Sequence, residues 1–274
     1  MRPLFPLLLL LTGATCKKEQ APFDLFAKTP VEYPIDPLIK EASGICMSMK
    51  YNDHLWIHED SGNPPQLTLL KNDGSTEAKV YLKGATNFDW EDITRYSNSD
   101  NHFLVIGDIG DNNKIRSHCS LYILEEPSTT SDTTTNFKEL IFTYTDGPHD
   151  AEAFVIEPST LDLLIFSKET TGSTVYKLPY PYTGGMAEPV ATLSQNMITA
   201  ASVSSNGKEL LIKSYFNINH YAITKGSIID ALKKDPTLIP YDAEPQGEAI
   251  GFSASGFYTV SEGNNVKLRF YKRN

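Results

Sequence analysis

At 274 residues with 40% hydrophobic side chains, the chain can bury a sizeable core and is too apolar for wholesale disorder. A net charge of −10 excludes nucleic acid as a partner, since phosphate recognition needs a basic face, and suits sites that attract cations. Seventeen glycines, seventeen prolines and 11% aromatics favour many short strands and turns over long helices.

Residues 1–16 read as a targeting segment. Arg2 precedes "LFPLLLLL", an apolar run too short to span a bilayer but suited to a signal h-region. "TGATC" then ends at Cys16, ahead of the polar "KKEQ". This resembles a bacterial lipoprotein signal with Cys16 as the lipidated residue, although Thr15 stands where Gly, Ala or Ser is usual. An ordinary cleaved signal with an incidental cysteine is the alternative. Either reading puts the mature protein outside the cytoplasm, in the periplasm or at the cell surface, touching membrane only through a lipid anchor. Residues 17–28 read as a linker and 29–274 as one domain, expected to be a monomer. No later segment is long and apolar enough to span a membrane. Cys46 and Cys119 lie in strand-like stretches, "GICMS" and "CSLYIL", and read as buried free thiols.

Beyond the linker, "PVEYPI" (30–35) reads as a strand outside any repeat. Five related motifs follow, "EASGI" at 41, "DWEDI" at 89, "DAEAF" at 150, "TAASV" at 199 and "QGEAI" at 246, spaced by 48, 61, 49 and 47 residues. Each opens a series of short apolar segments. The first series is "SGICMSM", "HLWIHED", "QLTLLKN" and "AKVYL"; the second runs through "HFLVIGD" and "SLYILEE" to "KELIFTY". The third ends in "TVYKLPY" and "EPVATL". In the fourth, "SIIDALKKD" interrupts with the Ser-x-x-Asp spacing of a capped helix. The fifth has only three segments, and "PVEYPI" would supply its missing strand. Four strands per unit of about 50 residues, separated by turn signals such as "NDG" and "SNG", are what a β-propeller needs. The expectation is an all-β, five-bladed β-propeller with four-stranded blades, the last closed by the amino-terminal strand.

In a propeller the first strand of each blade lies nearest the axis, and period-two alternation sorts its residues by face. The first motif positions are Glu41, Asp89, Asp150, Thr199 and Gln246; the third are Ser43, Glu91, Glu152, Ala201 and Glu248. The fifth are the apolar Ile45, Ile93, Phe154, Val203 and Ile250. This predicts a channel mouth that is acidic outside and sealed within. Trp90 and Asp92 point the other way, Trp90 against a neighbouring blade and Asp92 into a local pairing. The second strands return to the same mouth and bring His58, Asp60, Asp108, Asp111, Lys168, Glu169, Lys213, Tyr215 and Glu262.

Glu91, Glu152 and Glu248 near one axis must hold protons, find cations or spread apart. Oxygen ligands without His or Cys suit a hard cation, and Ca2+ tolerates irregular geometry best. The alternative is a ring of water-bridged carboxylates paired with Lys168 or Lys213. "GDIGDN" (107–112) reads as a second ligand loop or as a glycine-rich turn. Asp60, His149, Lys168 and Glu169 are the candidate catalytic residues. Histidine is the side chain suited to acid–base work near neutrality, but for the lone His58 and His149 a structural hydrogen bond is the preferred reading.

The order Ser, Glu, Glu, small residue, Glu across the five motifs resembles the calcium-activated nucleotidases, or apyrases. "FDWEDI" with "GDIGD", and "HDAEAF", fall where that family has similar tryptophan- and histidine-containing segments, and the resemblance spans residues 41–262. It implies a five-bladed propeller with Ca2+ in its channel and, by position, Ser43, Glu91, Glu152 and Glu248 as ligands or orienters of its water. Two departures stand out: Ala201 occupies the fourth position, and "HEDSGNPP" lacks the family's basic residue for phosphate, leaving Lys168, Lys213 and Arg116. Calcium-dependent propeller phytases and esterase-like propellers share the acidic-mouth logic. Three readings stay open: a Ca2+-dependent hydrolase of a phosphate ester, a non-catalytic cell-surface binding or scaffold propeller with structural Ca2+, and a propeller acting on glycosides through a carboxylate pair. The corresponding partner is a small molecule, a glycan or a phosphate ester.

Overall fold

The computed structural model describes residues 25–224 and 227–274. The signal segment with Cys16, and all but the last residues of the expected linker, lie outside the described residues. Within the linker's last residues, Phe26 is fully buried, bridges to Arg273 and meets Phe257 edge-on at 4.9 Å. Packed structure therefore starts ahead of residue 29.

The described residues form short strands and a single brief helix. First comes β1 (Val31–Pro34), then an antiparallel series β2 (Ala42–Met47), β3 (His54–Glu59), β4 (Gln66–Lys71) and β5 (Thr76–Leu82). Next are β6 (Trp90–Asn98), β7 (Asn101–Asp108), β8 (Cys119–Glu125), the two-residue β9 (Thr133–Thr134) and β10 (Phe137–Tyr144). A third series is β11 (Ala151–Ile156), β12 (Leu163–Ser167), β13 (Ser173–Leu178) and β14 (Gly185–Leu193). The fourth is β15 (Ile198–Val203), β16 (Glu209–Ser214), β17 (Ile218–Ala222), helix α1 (Ile228–Leu232) and β18 (Thr237–Ile239). Ser227 caps α1 by accepting from the Asp230 amide, as the Ser-x-x-Asp spacing requires. Last come β19 (Gly247–Ser253), β20 (Gly256–Ser261) and β21 (Lys267–Lys272), and β1 pairs antiparallel with β21.

Turn chemistry sets these boundaries. In "NDG" between β4 and β5, Gly74 has φ +84°, and a Cβ there would also run into the Pro34 carbonyl oxygen. The strand faces then bury apolar side chains between successive series. Trp56 and Leu69 from the first pack with Trp90, Ile106 and Leu124 from the second. The Trp90 indole donates to Thr86 O at 3.0 Å, so its polar tip is satisfied while its ring is buried.

The arrangement is all-β and propeller-like. The first strands make a ring of contacts: β2 with β6, β6 with β11, β11 with β15, β15 with β19, and β19 with β2. Hydrogen bonding divides the strands differently from the five separate four-stranded sheets expected. The described residues form sheets of four, eight, four and five strands. The eight-stranded sheet arises because the outer strands β10 and β14 meet in parallel, Phe142 to Tyr144 against Gly185 to Ala187. The fifth strand of the five-stranded sheet is β9, contributed by the long β8–β10 connection and paired parallel with β5. Cys46 and Cys119 are buried free thiols. Among the described residues, no helix is long and apolar enough to cross a membrane.

Candidate metal centre

Every strand of the inner ring carries a register shift at the same place. Pairing skips from Ala42 to Gly44, from Trp90 to Asp92, from Ala151 to Ala153, from Ile198 to Ala200 and from Gly247 to Ala249. The skipped residues are Ser43, Glu91, Glu152, Thr199 and Glu248. A bulge leaves one residue outside the ladder and re-aims its side chain, so strict alternation fails there. This corrects the fourth member of the tier: the residue equivalent to the three glutamates is Thr199, and Ala201 lies two positions further along. A usable signal was the residue after the tier, which is small in four of the five strands: Gly44, Ala153, Ala200 and Ala249. The two hydroxyls act alike. Ser43 Oγ donates to Glu91 O at 2.7 Å, and Thr199 Oγ1 donates to Gly247 O at 3.2 Å, each reaching the next inner strand.

Three carboxylates converge beside this tier. Asp60, Asp89 and Glu91 each offer an oxygen, and these oxygens all lie within 4.8 Å of one another. Backbone bonds fix the loops that carry them. Asp60 N donates to Glu41 O, the Asn87 side chain donates to Glu59 O and Asp60 O, and Ile109 N and Gly110 N both donate to Asp89 O. Gly110 lies where Glu91 Oε1 and Asp89 Oδ2 fill the space a Cβ would take. Burial raises the Asp60 carboxyl above the usual range, with Glu248 and Glu41 adding repulsion. Burial and the neighbouring Asp60 push Asp89 up to about 6. Glu91 is held well above the carboxylate range by burial, then by Glu152 and Asp60.

The opposite side of the tier carries its own cations. Lys168 forms an ion pair with Glu152 Oε1 and donates to the Tyr215 hydroxyl at 3.0 Å, which in turn donates to Glu248 Oε1 at 2.9 Å. Burial alone would depress the Lys168 ammonium, but Glu152 outweighs it and the pKa stands above the ordinary value. Glu152 is 3% exposed, and its second oxygen, Oε2, has no hydrogen-bond partner. Glu262 is pushed up to about 8 by burial and by Glu248. Lys213, expected at the open mouth, is instead fully buried. It donates to Gly247 O and Ser214 O and lies 5.0 Å from the centre of the Tyr241 ring, and burial pushes it down to about 8.

Other expected mouth residues brace loops. Asp108 accepts from the Phe88 and Asp89 amides and pairs with Arg116 at 2.7 Å. Asp111 accepts from the Ile115 and Arg116 amides, and Asp150 accepts from Asp111 N. "GDIGDN" is therefore a braced turn, because the Asp108 and Asp111 carboxylates are occupied by amides and a guanidinium. Arg116 is held in place too, donating to Gly110 O and lying 4.6 Å from the centre of the Phe88 ring. Glu41 is exposed and accepts from Asn63. His58 is buried edge-on against Trp90, and burial pushes it down to about 4, so it is neutral.

His149 is arranged differently. Its Nε2 lies 3.0 Å from Asp146 Oδ1 and 2.7 Å from the Tyr176 hydroxyl, which also bonds Asp146 Oδ2 at 3.0 Å. Its Nδ1 has no hydrogen-bond partner and sits 3.6 Å from Glu169 Oε1, while Glu169 Oε2 pairs with Lys114 at 2.7 Å.

No family model and no curated protein matches the chain. Among solved structures it is similar to one of a nidogen/laminin complex, at 10% identity and a TM-score of 0.50, covering 86% of this chain and 84% of that one. It is also similar to a hydrazine synthase from Kuenenia stuttgartiensis, at 11% identity and a TM-score of 0.43, covering 83% of this chain and 70% of that one. At such identities the likeness concerns the fold alone.

Proposed function

We propose that the chain is an exported five-bladed β-propeller that binds a divalent cation, Ca2+, at its acidic mouth. The five-bladed reading rests on the five antiparallel four-strand runs and the ring of first strands, with β10–β14 pairing and β9 as additions at the periphery. Export and anchoring through Cys16 rest on residues 1–16 alone.

One observation carries the cation reading: Asp60, Asp89 and Glu91, from two successive units, bring oxygens within 4.8 Å of one another, two of them packed against Gly110. Like charges at that spacing repel strongly unless protons or a cation offset them. The donor set is all oxygen, which fits Ca2+. Asp60, Asp89 and Glu91 would hold the ion, with Glu152 Oε2 and Glu248 completing the acidic wall. Ser43, which the nucleotidase resemblance implies as a ligand or orienter, serves here as an orienter because its hydroxyl is engaged by the Glu91 backbone. Metal content after dialysis against Ca2+, and calorimetric titration with Ca2+ and Mg2+, test this. Absence of saturable Ca2+ binding in the wild type would end the reading.

A second reading, Ca2+-dependent hydrolysis of a phosphate ester, is favoured by His149. Asp146 and Tyr176 hold Nε2, so Nδ1, buried 3.6 Å from Glu169 Oε1 and without a hydrogen-bond partner, is the nitrogen that would act as base. A bound cation would supply polarisation of a phosphoryl oxygen. Assays with ATP, ADP, phytate and nitrophenyl phosphate, with and without Ca2+, should give turnover that His149→Ala abolishes. Calcium binding without turnover would leave the binding or scaffold reading standing.

A further inference from the structure

A cavity of about 290 Å3 is lined mainly by the carboxy-terminal ends of the inner strands, whereas the acidic tier lies towards their amino-terminal ends. Its walls include Ile93, Ile156, Val203 and Phe252, one from each of β6, β11, β15 and β19. Between the two levels of the inner strands, Asp92 is fully buried and accepts from the Ile93 and Phe154 amides, and Ile45, Phe154 and Ile250 are buried as well.

The chemistry of this end is the reverse of the other. Arg95 is the single charged side chain among the described residues that line the cavity. Its guanidinium donates one hydrogen bond, from Nη1 to Ser48 O at 3.2 Å, and no described carboxylate lies within ion-pairing distance of it. The buried Glu126, which shares the surroundings of Cys46 with Arg95, is occupied by the Ser48 hydroxyl, the Met49 and Lys50 amides and the Trp56 indole. Two of the lining hydroxyls are engaged as well: Ser202 Oγ accepts from Phe252 N, and Ser204 Oγ accepts from Lys208 N and Glu209 N. The lining thus combines a planar cation with open donors, the apolar Ile93, Ile156, Val203 and Phe252, and the hydroxyl-bearing Thr94, Tyr96, Ser97 and Ser205.

We propose that this end binds a small organic carboxylate, with its head on Arg95 and an aliphatic or aromatic body against Ile93, Ile156, Val203 and Phe252. A guanidinium fork matches a carboxylate with two parallel hydrogen bonds, and a low-dielectric floor strengthens them. The volume, about 290 Å3, lies just below the range for drug-sized pockets, about 300–1,000 Å3, which suits a small, metabolite-sized acid.

Calorimetry and thermal shift with octanoate and phenylacetate, against 1-octanol and phenylacetamide as neutral counterparts, test the assignment. All are run in EDTA, which removes any contribution from the cation site. The wild type should bind the carboxylates at least about tenfold more tightly than the neutral compounds, the difference expected for losing one charged hydrogen-bonded contact. Arg95→Gln should erase that preference, and Val203→Trp, which fills the floor, should remove binding of both classes. Arg95→Lys retains the charge without the fork and should keep part of the preference, a check that holds if Arg95→Gln folds poorly. Equal binding of acid and neutral compound by the wild type, no saturable binding of either acid, or an undiminished preference in Arg95→Gln would overturn the proposal.

Discussion

Glu91 Oε1 occupies the space that a side chain at Gly110 would need. The same is true of Asp89 Oδ2, so one glycine sets how closely these two carboxylates approach. Gly110 needs no left-handed backbone, which makes Gly110→Ala a steric change alone. Overpacking of this kind costs about 1–3 kcal/mol. The variant should fold with a lowered melting temperature and bind Ca2+ at least about tenfold more weakly, a loss of roughly 1.4 kcal/mol. Calorimetry gives both numbers, and unchanged affinity would mean that the Gly110 contact does not shape the site.

Calcium should stabilise the folded chain by mass action. At about a hundred times its Kd, an ion that binds only the folded state adds roughly 2.7 kcal/mol. Glu91→Gln removes a buried carboxylate from among other carboxylates, so in EDTA its melting temperature should equal or exceed that of the wild type. With Ca2+ added, the order should reverse. Paired thermal melts check this; a Glu91→Gln variant with a full calcium shift would exclude Glu91 as a ligand.

The Lys168–Glu152 pair is nearly buried, with side-chain exposures of 13% and 4%. Removing one partner of such a pair strands the other charge and costs about 3–5 kcal/mol. Lys168→Met should therefore be strongly destabilised, and the double variant Lys168→Met with Glu152→Gln should recover most of the loss. Denaturant melts of the four proteins make a double-mutant cycle; additive effects would mean that the pair is not coupled.

Glu262 predicts a pH dependence with a definite sign. Its folded value, about 8, stands above the ordinary 4.5, so the folded chain holds this proton more tightly than the unfolded chain. That contribution is complete at low pH and is lost as pH rises towards 8. Glu91, raised for similar reasons, acts in the same direction. His58, pushed from 6.5 to about 4, acts in the opposite sense but only below pH 6.5, and Lys213, pushed down to about 8, acts above pH 8, so the range from 6.5 to 8 isolates the carboxyl groups. In EDTA the melting temperature should fall between pH 6.5 and 8, and Glu262→Gln should reduce that fall. A flat wild-type profile would remove Glu262 from the account.

The repeat was legible because tight spacing and turn residues leave a local trace: motifs 48, 61, 49 and 47 residues apart each mark an inner strand. Glu91, Glu152 and Glu248 were legible for the same reason. Thr199 was not, because alternation assumes a regular ladder and a bulge breaks it. Asp108 and Asp111 could be placed in a loop, but which amides they brace depends on a turn conformation that composition does not specify. The β10–β14 pairing left no trace either, since parallel contact between outer strands depends on how neighbouring series sit in space. Arg95 carries no local signal, because its cavity is assembled from residues scattered across all five units.

The pairing of β1 with β21 joins segments so far apart that the Lys267–Glu32 contact spans 235 positions. Closing so long a loop is entropically slow, and it gains nothing until β19, β20 and β21 have formed a surface to receive β1. During synthesis the early strand must wait unpartnered while the remaining sheets assemble. Its four residues are VEYP, two of them poor partners for another sheet: a charged Glu32 and a Pro34 with no amide to donate. The named strand that waits longest is thus among the least able to pair wrongly.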